Sequence, residues 1–243
     1  MDFFDILIYV SIIFFAIVGF NNGFFKSIIN IIGFIVSLFV THILRATVAE
    51  LLIVNLPFLD VGSFLKTAPA LNILLYQLLA FILLFVIAEL VYNLLISILG
   101  LNDLALRLGV KTGIVSKILG IFSGVIEGVL IIFLCVFILS QPFIKLNISD
   151  NSTVAKDILK RIPFVSDWNS DFINVFDGIQ ELTDSETITN ANVLTLFLNE
   201  KMVTKDTVKK LLELRKINSD EDIEKLVNDN ANVNNNNENT NES

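Results

Sequence analysis

Cysteine occurs once, at Cys135, so no disulfide can form within the chain, and the one histidine, His42, excludes a histidine-rich metal site. Flanked by Leu134, Val136 and Phe137, Cys135 reads as a small apolar side chain, and His42, close to Arg45, reads as an interfacial residue. No Gly-x-Ser-x-Gly, phosphate loop or Cys-x-x-Cys occurs. Neither a catalytic centre nor a cofactor is therefore expected. Charge is scarce as well, at 17% of 243 residues, and neither half carries the basic patch that nucleic acid binding requires. That partner class is excluded.

Apolar side chains take the place of charge: they make up 54% of the chain, and the mean hydropathy is +0.73. A water-soluble globule does not carry such a composition. The net charge of -8 is also unevenly spread, with six bases and seven acids up to Ser140 and eleven bases and eighteen acids from Gln141 onward. An apolar, nearly neutral front precedes an acidic, polar back.

Four stretches of the front are long enough for membrane spans. The first, Phe3 to Phe20, holds thirteen Leu, Ile, Val and Phe residues, each favouring insertion by roughly 0.3 to 0.6 kcal/mol. With Asp2 and Asp5 in place of a basic start, and without a small-residue cleavage site, it is not expected to be a cleavable signal peptide. The second span is placed at Ile28 to Ile43, with Ala46 to Leu56 lying along the interface and ending at Pro57. The third stretch, Leu71 to Leu101, is too long for an upright crossing, so tilt or a short surface helix after Asn93 is expected to absorb the excess. The fourth runs from Ile118 to Leu139. Lys26, Arg107, Lys111 and Lys117 lie in the loops of one side, which favours a cytoplasmic placement of those loops, whereas counting Lys145, Lys156, Lys160 and Arg161 of the tail favours the reverse.

Gly120, Gly124 and Gly128 recur every four residues, a spacing that cuts a shallow stripe where another backbone can approach. Gly113 extends that face, and Gly19 and Gly23 repeat the spacing at the first turn. Packing against a neighbouring span is the favoured reading of these six, with contact to a second copy of the chain as the alternative.

The opening Asp5-Ile6, the turn Gly19-Phe20-Asn21-Asn22-Gly23-Phe24 and the run Ser116-Lys117-Ile118-Leu119-Gly120-Ile121-Phe122-Ser123-Gly124-Val125-Ile126-Glu127-Gly128 resemble the colicin V production protein family, CvpA. The resemblance covers Met1 to about Gln141, with Ile162-Pro163 as a further point of likeness. Asn21 and Asn22 stand where that family is commonly basic, and Ser116-Lys117 stands for its Asp-Arg pair. The likeness implies a multi-pass protein of a bacterial inner, or cytoplasmic, membrane, linked to toxin production or envelope physiology. It implies no reaction.

Three acids lie in apolar surroundings: Asp5 near the end of its span, Glu89 with Gln77 and Asn93 as polar neighbours, and Glu127 on nearly the same face as the glycine stripe. Ionisable groups inside spans are costly and point to a partner or a wet cavity. The structural reading gives Glu89 and Glu127 interfacial or hydrogen-bonding roles; the functional one makes them a proton-coupled path in a small transporter or channel subunit.

Beyond Pro142, Trp168, Phe172, Val175, Phe176, Ile179 and Leu182 fall at helical intervals. Thr204 to Ile217 forms a second helix, and Ser219 with Asp222 has capping-box spacing before a third. The composition from Asn228 onward cannot bury enough surface to stay ordered. The expected organisation is an all-α integral membrane protein with a four-helix domain at 1–141, a helical tail at 142–227 and a disordered Asn-rich end at 228–243. Its expected partners are the lipid bilayer and a second copy of the chain or other membrane proteins.

Overall fold

The computed structural model describes residues 3–59, 69–139, 152, 154–155, 157–158, 170–218 and 221–228. Among them every regular element is helical: α1 (Phe3–Asn22), α2 (Phe24–Asn55), a 3-10 turn (Pro69–Leu71) leading into α3 (Asn72–Ile98), α4 (Leu101–Thr112) and α5 (Ile114–Leu139). The tail supplies α6 (Ser170–Asp184), α7 (Asn190–Asn199), α8 (Lys205–Glu213) and α9 (Glu221–Asn228). α1, α2, α3 with its leading turn, and α5 are long and apolar enough to cross a membrane. Their outward faces carry Ile13, Ile17, Leu90 and Phe122, each more than half exposed. Lipid, not water, suits such faces, and the chain is an all-α membrane protein.

Two stretches fold differently from their sequence reading. α2 runs unbroken from Ile43 through Ala46 to Asn55, where a separate interfacial segment over Ala46 to Leu56 was expected, because no breaker precedes Pro57. At 1.5 Å per residue its 32 residues measure about 48 Å, well beyond a hydrocarbon core of about 30 Å. Of the two readings of the third stretch, tilt or a short surface helix after Asn93, the separate helix does not form: α3 continues unbroken to Ile98. Residues 102–112, read as loop, form most of α4, which is set off by left-handed Gly100 (φ 65°) and by Gly113 (φ 53°).

The chain divides into two compact units, Met1–Leu44 with Phe81–Asn169, and Arg45–Ala80 with Ser170–Ser243. This differs from a division at residue 141 because the surplus length of α2 and α3 goes with the tail. Ala49, Ile53, Leu71 and Leu74 are fully buried, as are Val193, Phe197, Leu211 and Ile223 of the tail helices. The ends of α2 and α3 thus supply core to helices that are individually too short to stand alone.

Polar contacts fix the same unit. Asn72 donates through Nδ2 to the carbonyls of Pro69 (3.0 Å) and Leu59 (3.1 Å) and accepts from the Leu59 amide (2.8 Å). Asn190 accepts from the Ala70 amide at 2.9 Å, and Gln77 donates to the Met202 carbonyl at 2.7 Å. Lys216 donates to the carbonyls of Ile53, Val54 and Leu56 at 2.5 to 2.7 Å, closing the exposed end of α2 as a basic side chain does at a helix C-terminus. Burial pushes that ammonium below the usual lysine range.

α8 begins at Thr204, whose hydroxyl accepts from the Thr207 amide at 3.1 Å. α7, which the sequence reading passed over, is capped by Thr189 and buries Ala191, Val193, Leu194 and Phe197. Val175 and Ile179 of α6 are buried, whereas Trp168, Ser219, Ile162-Pro163 and the Asn-rich end lie outside the described residues.

Candidate functional site

The membrane helices of the first unit meet along a seam made by α1 and α5. A Cβ on Gly19 would fall 2.6 Å from the Gly124 Cα, one on Gly120 would fall 3.0 Å from the Gly23 Cα, and one on Gly124 would fall 2.8 Å from the Gly19 Cα. Gly128 faces Phe15, whose Cβ would lie 2.6 Å from an added methyl. The two backbones touch because these positions carry no side chain, and they run antiparallel, with Ile8 packing beside Ile132 and Val136 farther along. Gly23, at φ 75°, makes the turn into α2, and the Phe24 amide that follows donates to Ser116 Oγ at 3.2 Å. Gly113 is not brought into this seam: among the described residues nothing lies within 4 Å of a Cβ there, and its positive φ serves the break between α4 and α5.

Asp5 is buried at the far end of the same helix pair. Ser152 Oγ donates to its carboxylate at 2.6 Å and accepts from the Ala155 amide at 2.9 Å. The contact ties the chain after α5 back to the start of α1, beside an apolar cluster of Ile8, Ile132, Val136 and Ala155.

Glu89 and Glu127 each face α2. Asn30 Nδ2 donates to Glu127 Oε1 at 3.0 Å, while Glu127 Oε2 is buried without a hydrogen-bond partner among the described residues. Lys26, one turn earlier on α2, adds its positive charge to the field at that carboxylate. Asn93 Nδ2 donates to Glu89 Oε2 at 3.3 Å, Ser37 of α2 faces the same carboxylate, and Glu89 Oε1 makes no close hydrogen bond among the described residues. The α2 anchors Asn30 and Ser37 are seven residues apart, so the two acids are served at points about 10 Å apart along the helix. They have different polar neighbours and do not form a shared-proton pair.

The face of α2 that they meet is itself polar. Ser27, Ser37 and Thr41 are fully buried; the Ser27 and Thr41 hydroxyls have no hydrogen-bond partner among the described residues, and Ser37 lies against the Glu89 carboxylate. In hydrocarbon an unsatisfied polar group costs several kcal/mol, so a track of such groups beside two half-satisfied carboxylates suits water, a proton or a small cation. α2 is pressed onto α3 by Gly33, where an added Cβ would meet Tyr92 Cδ1 at 2.6 Å, by Tyr92 Oη donating to the Ile29 carbonyl at 2.8 Å, and by an edge-to-face Phe34–Phe85 pair.

Asn30, Gly33 and Ser37 were not singled out from the sequence. Their spacing along one helix, with a glycine and two polar residues in an otherwise aliphatic run, was the available signal. Among the described residues no three His, Cys, Asp or Glu side chains gather as a metal site would require.

A family model described as Colicin V production protein matches residues 4–162. No curated protein and no solved structure matches the chain. The matched region contains the α1–α5 seam, both carboxylates and the Asp5–Ser152 contact, and on that match the chain belongs to the colicin V production protein family.

Proposed function

We propose that this protein is a multi-pass component of a bacterial cytoplasmic membrane that supports production or export of a colicin V-type toxin, or the upkeep of the envelope, by packing with membrane partners and not by catalysis. The observation that carries this reading is the family match across residues 4–162, which takes in the whole of the α1–α5 seam. Deleting the gene in its own bacterium and restoring either wild type or Gly120→Leu tests it. Loss of secreted toxin or of envelope integrity, rescued by wild type and not by the variant, is the expected result. An unchanged phenotype on deletion rejects the reading.

A second reading is favoured by the open oxygens of Glu89 and Glu127 beside the polar face of α2. On it the protein is a small proton-coupled transporter or channel subunit. Purified protein in liposomes should pass protons under a pH gradient, and Glu89→Gln with Glu127→Gln should abolish the flux. Absence of flux under several imposed gradients ends this reading and leaves the first intact.

A further inference from the structure

Helix α4 presents a surface that neither reading above uses. It is joined to the apolar helices α3 and α5 by Gly100 at one end and Gly113 at the other; resting on the multi-pass reading proposed above, with both of those helices crossing, its two ends lie at one face of the bilayer. Its inner side packs on protein: Ala105 is buried, and a Cβ on Gly109 would lie 3.7 Å from Ser116 Oγ. Ser116 also receives the Phe24 amide, so α4, the start of α5 and the α1–α2 turn converge at one point.

The outer side is apolar and basic together. Leu106 and Val110 are exposed, Val110 at 83%, and Ile114 and Val115 continue the apolar surface past Gly113. Arg107 and Lys117 are exposed beside it, the Lys117 ammonium 5.5 Å from the centroid of the Phe20 ring. In sequence, residues 21–26 and 102–117 hold four bases, Lys26, Arg107, Lys111 and Lys117, against the single acid Asp103, a local excess of bases in a chain whose net charge is -8. Aliphatic side chains next to cations, on a short helix fixed at the membrane boundary, match the chemistry of the headgroup layer: acyl chain on one side, phosphate on the other.

We propose that α4 lies in the headgroup layer and that Arg107 and Lys117 bind the phosphodiester of an anionic phospholipid of the phosphatidylglycerol class, with Leu106 and Val110 seated among the acyl chains. Native mass spectrometry of the full chain, released from micelles holding equal amounts of phosphatidylglycerol and phosphatidylcholine, tests this. Wild type should retain phosphatidylglycerol several-fold over phosphatidylcholine. The double variant Arg107→Gln, Lys117→Gln should bring the ratio close to one with its helical circular dichroism unchanged, whereas Arg107→Lys, Lys117→Arg should keep the preference. Equal retention by wild type, or a preference that survives the Gln variant, overturns the proposal. If the Gln variant fails to fold, wild type carries the test alone, since a preference that added salt does not reduce is equally fatal. In a Trp168→Phe background, Val110→Trp fluorescence should be quenched by phosphatidylglycerol brominated on its acyl chains, and an unquenched signal places α4 in water and sinks the idea.

Discussion

At the α1–α5 seam single atoms decide the packing. A methyl added at Gly120 would run into the carbonyl oxygen of Gly19 and reach 3.0 Å from the Gly23 Cα, and neither can rotate away because both are backbone. Gly120→Ala should therefore force the helices apart and cost about 1–3 kcal/mol, as overpacking does. Gly109 offers the control, since among the described residues its added Cβ would meet only Ser116 Oγ, at an ordinary 3.7 Å. Gly109→Ala should be neutral or stabilising by up to about 1 kcal/mol through helix propensity. Thermal unfolding in detergent, followed by circular dichroism, compares the two, and equal melting temperatures would contradict the seam.

The residue scale also shows where reading the sequence stopped. The four-residue glycine spacing was legible because helical periodicity places Gly120, Gly124 and Gly128 on one face whatever the neighbours are. That Asn30 would hold Glu127, and that Ser37 would face Glu89, was not, because these pairs lie 97 and 52 positions apart and nothing local sets their register. For Asp5 the sequence placed an acid near a span end, and only the fold supplied Ser152 as its partner. A double-mutant cycle of Asp5→Ala and Ser152→Ala should give a coupling of about 1 kcal/mol in the melting measurement, and strictly additive effects would mean that the contact contributes nothing.

Among the elements, α2 and α3 matter most, since each is longer than a bilayer requires and continues as core for the tail helices. Lys216 closes the end of α2 by donating to three carbonyls and lies with its ammonium 5.5 Å from the Phe58 ring centroid. Lys216→Met keeps the aliphatic stem and removes the donors, so the loss should be about 1.5–3 kcal/mol, the range for hydrogen bonds to charged groups. The change should appear as faster proteolysis within residues 170–228, with the membrane helices still protected. Unaltered digestion would show that the clasp is dispensable. α7 illustrates the limit of periodicity at this scale: ten residues rich in Asn and Thr carry a weak pattern, and burial of Val193, Leu194 and Phe197 by other helices gives it its stability.

For the whole molecule the count of crossings is the leading quantity. On the proposed multi-pass reading, four crossings are expected to put the α2–α3 connection and the tail, which the bonds from Lys216 to Ile53 and from Ala70 to Asn190 hold together, on one side of the membrane, and the α1–α2 turn and α4 on the other. With Cys135 replaced by Ser, single cysteines at Asn55 and Glu213 should react with an impermeant thiol reagent from the same side, and those at Asn21 and Asp103 from the opposite side. Labelling of Asn55 and Asp103 from a common side would break the four-span topology.

The sequence alone determined the helical class, the number of apolar segments suited to lipid and the positions where two backbones could touch. All of these follow from composition and local periodicity, which do not depend on what a segment eventually meets. The tertiary structure decided where each long helix stops serving the membrane and begins serving the tail, which buried acid faces which polar side chain, and which glycine is a turn instead of a contact. Those outcomes depend on register between distant segments, fixed by packing and hydrogen bonds between residues far apart in the chain.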